Sequence, residues 1–433
     1  MVRLLPVRAF HPDPDRADAS RLVAPVYDTL SLEDHRRFDA LPHNAASFTS
    51  RRTDLSTPAF LDLASQRLSA ALEAEAFVQD GSPALYVYAI RYHPAPEIVE
   101  ALPPERRKPD YLLLGLVGAL PEDSGTSSRV ALHERTFTDR VEERVALTER
   151  TGMHFAPIMA GYTPKSHAIN DLIENYLGID RRQLSFKGSR TPLVEATLDG
   201  ATHRLWRLED PQVAAEIGTL LDHERILILD GHHRFTAASR LQSRGVPVRP
   251  LTMLVEAHDK ALLLLPWHRV LAPSQLTYDG FLSKGRSTFA SVDELPPEGG
   301  LPEAIASVRE LRAKGHRGFL AIGPRRMALV RGNDVPGEGQ DYELLHRFLE
   351  GDLGLDPSRF SFVRSPRQAM LQVRGEGGVA FLLPPLSFPG IEQEAFAHHV
   401  MAQKSTMFLP KVAEGVIFAP ALAERAGRRV AAR

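Results

Sequence analysis

Two periods of apolar positions run through this chain, and the changes between them mark its elements. Leu61, Ala64, Leu68, Ala71 and Leu72 recur at helical spacing and predict an amphipathic helix over 58–75. Continuous apolar stretches predict strands at 85–90 and 111–120, broken by Gly81-Ser82-Pro83 and the prolines near Pro103. Glutamates and arginines interleave over 138–150 along a helical pattern that Gly152 closes. A short helix is expected at 211–221, a buried strand at 226–229, and helical character from there to near Leu241. Further strands are expected at 130–132, 251–255 and 262–265. The composition shifts at Leu295-Pro296-Pro297-Glu298-Gly299-Gly300. Beyond it the pattern predicts helices at 302–314 and 342–350 and strands near 318–322, 327–330 and 379–383. The first fifty residues, with Pro12, Pro14, Pro25 and Pro42, read as irregular. Helices and strands mix without strict βαβ alternation, which predicts an α+β fold of mixed sheets. The expected division is an N-terminal and central region over 1–295, a C-terminal α/β region over 301–420, and a tail over 421–433.

The strand at 226–229 runs into Asp230-Gly231-His232-His233-Arg234, the densest polar cluster next to a buried element. Gly231 permits a sharp turn, and the free N–H groups of the following helix favour an anion. Arg234 adds a planar cation suited to two phosphate oxygens. Such a turn would hold a phosphate with Asp230, His232 and His233 close by. The plainer alternative is an ordinary helix start, with Asp230 as N-cap and a solvated first turn.

Four other segments carry chemistry. Tyr27-Asp28 follows Pro25 and offers a carboxylate to a cleft, or is a simple turn. His133-Glu134-Arg135-Thr136 follows the strand at 130–132 and offers a base or metal pair, or is a surface loop. His268-Arg269 follows Trp267 after four leucines, where the alternative is a packed Trp with a satisfied His. Lys404-Ser405-Thr406 and Lys411 supply the donor types that surround phosphates, without the glycine spacing of a P-loop.

Composition narrows the chemistry. The chain has no cysteine, which excludes disulfides, thiolate metal sites and cysteine nucleophiles. The 52 basic and 54 acidic residues nearly balance, which argues against a broad nucleic-acid surface. No membrane-length apolar run or signal segment occurs, so a cytoplasmic protein is expected. Only eight of the 52 basic residues are lysine, and two of these fall at 404 and 411, where an ammonium rather than a guanidinium is implied. A zinc site built from His133, His232, His233 and His268 lacks any HExxH-like spacing. Magnesium on Asp230 or Glu134, shared with phosphate oxygens, suits the residues better. No GxSxG serine hydrolase motif is present.

Five motifs occur in order across residues 20–418: Pro25-Val26-Tyr27-Asp28, His133-Glu134-Arg135-Thr136, the DGHHR turn at 230–234, His268-Arg269, and the KSTMFLPK segment at 404–411. In this the chain resembles a conserved family of bacterial and archaeal proteins of unknown function. The stretch His43-Asn44-Ala45-Ala46-Ser47-Phe48 follows that family's pattern only loosely. Over 224–242 the chain also resembles the strand–turn–helix of the ParB/sulfiredoxin-like superfamily, which includes free serine kinases and CTP-dependent clamps. That resemblance implies that Gly231 and Arg234 cradle a nucleotide phosphate and that Asp230 and His232 or His233 lie near the reacting groups.

The expectation is a small-molecule kinase using magnesium and an adenine nucleotide, ATP or ADP, with free L-serine the best single acceptor. Glu134, Asp230, His232 and His233 would be catalytic, and Glu134 and Asp230 would hold the metal. Gly231, Arg234, His268, Arg269, Lys404, Ser405, Thr406 and Lys411 would bind the nucleotide, and His133, Tyr27 and Asp28 the substrate. The alternatives are a nucleotide-binding regulator without turnover and a metal-assisted hydrolase. Neither nucleic acid nor membrane is an expected partner.

Overall fold

The computed structural model describes residues 3–422, apart from 103, 164–166, 223, 297–299, 334–339, 385 and 403. It is an α+β protein, as the mixture of periods predicts. The larger sheet has eight strands in the spatial order Val130–Leu132, Ile226–Asp230, Ile158–Tyr162, Leu251–Glu256, Tyr111–Ala119, Leu85–Tyr92, Ala201–Leu208, Val194–Leu198. Two of its pairings are parallel, 130–132 with 226–230 and 158–162 with 251–256, and the rest are antiparallel. A second, antiparallel sheet of six strands runs from His268–Leu271 to Val379–Leu382 in sequence. The sheets part between Glu256 and His268. Pro297, Glu298 and Gly299 of the expected boundary lie outside the described residues, as do 423–433 of the expected tail. One apolar cluster crosses the junction, from Tyr86 and Met253 under the first sheet to Phe281, Phe381 and Phe408.

The edge of the large sheet fixes the chemistry. Ile226–Asp230 lies parallel to Val130–Leu132 with Ile228 opposite Leu132. Parallel strands end on the same side, so His133-Glu134 and Asp230-Gly231 emerge together. An irregularity between Ile228 and Asp230, in the pairing with 158–162, adds a local bend at the strand end. The C-terminal segment is threaded onto the same edge: Met407–Leu409 pairs antiparallel with Leu263–Leu265, and Met401 bridges Glu134.

The N-terminal fifty residues are more regular than their prolines suggest. Helix Leu32–Asp39 is started by a capping box between Ser31 and Asp34. Asn44 ties the loosely matching stretch down by donating to the carbonyls of Arg21 and Val23 at 2.7 and 2.9 Å. The helix expected at 342–350 is α-helical over Asp341–His346 and continues as a wider π-helical turn over Arg347–Asp352. No helix among the described residues is long and apolar enough to cross a membrane.

Candidate functional site

The ends of these strands open into a cavity of about 380 Å³, within the roughly 300–1,000 Å³ usual for small-molecule sites. Tyr27, Asp28, Glu134, Asp230, Gly231, His232, His233, Arg234, Lys404, Thr406 and Lys411 all line it. Residues 27, 134, 230 and 404 are thus brought together from four distant parts of the chain.

Gly231 has φ +86°, the left-handed region that glycine favours. A Cβ there would lie 2.8 Å from Nη2 and 3.0 Å from Nε of Arg234. The turn therefore lets the guanidinium fold back against its own backbone. Helix His232–Ser243 starts at Gly231 with no side chain capping it. The positive end of its dipole lies at this turn, and residues 230–234 line the cavity.

Arg234 is turned inward, not spread toward the cavity as a free fork. Nη1 donates to the carbonyls of Ala156 and Pro157 at 3.0 and 2.9 Å, and Nη2 lies 3.5 Å from Oδ2 of Asp230. It acts as a tie that fixes the turn and as a local positive charge. Lys411 donates to the other oxygen of Asp230.

Two of the cavity's three carboxylates, Asp230 and Glu134, have opposite characters. Burial alone would raise the pKa of Asp230, but the charges of Lys411 and Arg234 and the bond from Lys411 outweigh it and hold the group at about 2. Burial pushes Glu134 up to about 6 against hydrogen bonds from the backbone N–H groups of Lys404 and Thr406. Lys411 and Arg234 thus hold Asp230 as an anion, whereas burial shifts Glu134 the opposite way.

His232 and His233 line the cavity, and His133 is packed against His232. His133 is fully buried and does not border the cavity. Its Nδ1–H donates to the carbonyl of Ile228 at 2.8 Å, which leaves Nε2 to accept from the Thr406 hydroxyl at 2.7 Å. Nε2 of His232 sits 3.2 Å from His133 Nδ1, with the rings edge to face. Burial lowers the pKa of His133 to about 4 and, with the charge of His133, that of His232 well below its ordinary value. Both rings are neutral struts at physiological pH. Nε2 of His233 accepts the backbone N–H of Phe137 at 3.1 Å, so its proton sits on Nδ1.

Three other expected residues lie outside the cavity wall. His268 is buried, accepts the Leu383 N–H at 3.3 Å, and is driven down to about pKa 3 by desolvation. Arg269 is buried and bound to His346, with its pKa lowered by burial to about 10. Ser405 donates to the Ala402 carbonyl at 2.6 Å. These residues are consumed by packing because their motifs sit within paired strands or a tight turn. The cavity also takes in Phe137, Arg140, Trp267 and Arg364, which the sequence reading gave no role. Trp267 donates its indole N–H to the Thr406 carbonyl at 3.0 Å, and Lys404 Nζ lies 4.9 Å from its ring centre. Behind Arg234, buried Glu414 accepts the Tyr27 N–H at 3.2 Å. A lone carboxylate in the apolar run 412–418 was the available signal for that residue.

Among the described residues no group of three or more His, Asp or Glu side chains is arranged to hold a metal. A magnesium ion here would take one or two carboxylate ligands and complete its shell with phosphate and water. The carboxylates that would meet it are Asp230, whose oxygens already face Lys411 and Arg234, and Glu134.

The chain belongs to the family described as protein of unknown function (DUF1015), whose profile matches residues 4–345. No curated protein matches the sequence. Similar solved structures include a free serine kinase variant in complex with ADP, at 12% identity and a TM-score of 0.38, covering 69% of this chain and 90% of that one. A free serine kinase in complex with AMP is similar at 14% identity and a TM-score of 0.35, with the same 69% and 90% coverage. A conserved hypothetical protein from Pyrococcus furiosus is similar at 13% identity and a TM-score of 0.34, covering 69% and 93%.

Proposed function

We propose that this DUF1015 protein is a phosphotransferase that moves a phosphoryl group from an adenine nucleotide to the hydroxyl of a small molecule, with free L-serine the acceptor to test first. One observation carries the reading: an uncapped helix start borders a cavity with two lysines and three carboxylates, of which Glu134 and Asp230 differ in acidity. Phosphoryl transfer asks for an anion cradle, mobile positive charge and an acceptor for the hydroxyl proton. The amides after Gly231 form the cradle, held rigid by Arg234. Lys404 and Lys411 offset the charge of the transferring group. Glu134, near neutrality and able to take a proton, is the general base. The acceptor oxygen forms a bond to phosphorus, the bond to the bridging oxygen of the nucleotide breaks, and the hydroxyl proton passes to Glu134. The nucleotide leaves one phosphoryl group shorter. Asp230, permanently ionised, is the residue to hold magnesium, which would neutralise phosphate charge when bound. Asp28, exposed at the cavity mouth, is placed to meet the acceptor.

The test has two stages. ADP, ATP and pyrophosphate, each with and without magnesium, should raise the melting temperature, since each binds the folded state. Phosphorus NMR should then follow transfer from nucleotide to L-serine. Binding without transfer to any hydroxyl compound would leave a nucleotide-binding regulator; no binding of any phosphate ligand would overturn the reading.

A further inference from the structure

Phe137 stands out on the cavity wall. It is 49% exposed, a high value for a large apolar side chain, and it lines the cavity. It directly follows His133-Glu134-Arg135-Thr136 and occupies the N-cap position of helix Thr138–Thr151. Its ring is stacked on His233 with centroids 6.0 Å apart and an interplanar angle of 6°. The backbone N–H of Phe137 binds the same imidazole, so the stack is held at two points. At that centroid separation parallel rings are laterally offset, so much of the Phe137 ring stays uncovered, in keeping with its exposure.

Tyr27 and Trp267 are the competing aromatic surfaces among the described residues, and both are already engaged, Tyr27 by Arg144 with Cζ 4.0 Å from its ring centre. Lys404 Nζ lies 4.9 Å and Arg364 Cζ 5.6 Å from the Trp267 ring centre, and the indole N–H is bound to Thr406. Trp267 thus orients cations, whereas Phe137 offers uncovered ring surface. His233 belongs to the first turn of the helix whose amides form the phosphate cradle. The Phe137–His233 stack therefore places a flat apolar surface directly beside that cradle.

We propose that Phe137 is the platform on which the base of the bound nucleotide stacks. It is then a specificity-determining residue that favours a nucleoside polyphosphate over an inorganic one. Stacking of this kind tolerates different bases, since each has a π face, so Phe137 selects for a nucleotide and not for one base. The inference rests on the phosphate cradle of the proposed function.

Calorimetric titration of ADP and of pyrophosphate into the wild type, Phe137→Ala and Phe137→Trp tests it. In Phe137→Ala the Kd for ADP should weaken by roughly ten- to a hundredfold, the range that loss of one base–aromatic stack gives. The Kd for pyrophosphate should stay within about twofold, the scale of a surface change away from the bound group. Phe137→Trp should keep ADP affinity, and its added fluorescence should be quenched by ADP and not by pyrophosphate. Equal weakening of both ligands in Phe137→Ala would mean that the ring only supports His233, and would overturn the platform while leaving the cradle. Unchanged ADP affinity would overturn it as well. Failure of the wild type to bind either ligand would remove cradle and platform together.

Discussion

Lys411 donates its ammonium to Oδ1 of Asp230, a residue 181 positions earlier in the chain. The pair fastens the C-terminal segment to the turn after the central strand and keeps the turn's carboxylate ionised. Among the described residues Arg234 is the other cation near Asp230, and it lies farther away, at 3.5 Å. Lys411→Met should therefore destabilise the fold by roughly 2–4 kcal/mol, somewhat below a fully buried pair, because the lysine side chain is 31% exposed. The pH dependence has a definite sign. Asp230 falls from an ordinary 3.8 to about 2 in the folded protein, so its contribution is present above about pH 4 and is lost as the pH falls toward 2. Melting curves of both proteins between neutral pH and pH 2 should converge at the acid end; a constant gap would disprove the pairing.

Glu134 should titrate the other way. Its pKa is raised by burial from 4.5 to about 6, so the folded state holds its proton more tightly than the unfolded one. The stability it contributes is present below about pH 4.5 and declines as the pH rises through 6. Glu134→Gln should thus match the wild type near pH 4 and be the more stable at pH 8. If Glu134 is the base, transfer should rise with pH through about 6 in the wild type. The Gln variant should lose about 10²- to 10⁴-fold in turnover, as the removal of a general base does. Stability and rate profiles measured on the same samples check both claims.

Gly231→Ala should be harmful out of proportion to one methyl group. The backbone at φ +86° is strained for any L side chain by about 1–2 kcal/mol. The new Cβ would also meet the Arg234 guanidinium at 2.8–3.1 Å. A melting temperature lowered together with weaker pyrophosphate binding is the expected result. Lower stability with unchanged binding would show that the amides after Gly231 hold no anion.

Lys404 is the lysine whose chemistry an arginine should not replace. Its backbone is left-handed, with φ +57°, and its ammonium is held against Trp267. Lys404→Arg keeps the charge but changes reach and hydrogen-bond geometry. It should lower turnover while leaving stability within about 0.5 kcal/mol. Lys404→Ala should weaken nucleotide binding further. Wild-type turnover and affinity in both variants would take the 404–411 segment out of the chemistry.

Much of the fold was legible in the chain alone. The strands at 85–92, 111–119, 226–230 and 251–256 and the helices at 57–73, 138–151 and 211–221 stand where the sequence pattern predicts them, because the strands are apolar runs buried on both faces and the helices bury one face. The helix at 32–39 was not legible, since its capping box is local polar chemistry in a proline-rich stretch. The 194–208 hairpin likewise lies outside the predicted elements. Its alternation reflects pairing with the strand at 85–92, a partner more than a hundred residues away in sequence.

At the cavity the division is sharper. Residue types and their positions after apolar runs determined that the DGHHR turn, the HERT loop and the KSTMFLPK segment carry polar groups at strand ends. Gly231 stands where a sharp turn favours glycine, and two of the chain's eight lysines stand at 404 and 411 among 44 arginines. Only the tertiary structure decided which side chains face the cavity. Parallel pairing of 130–132 with 226–230 puts Glu134 beside Asp230, while full burial turns His133, His268 and Arg269 into supports. It also turned Arg234 inward onto two carbonyls and raised Phe137 and Trp267 to the wall. A sequence fixes what a group can do, but its solvation and its partners set its pKa and its free donors, and those depend on contacts between residues hundreds of positions apart.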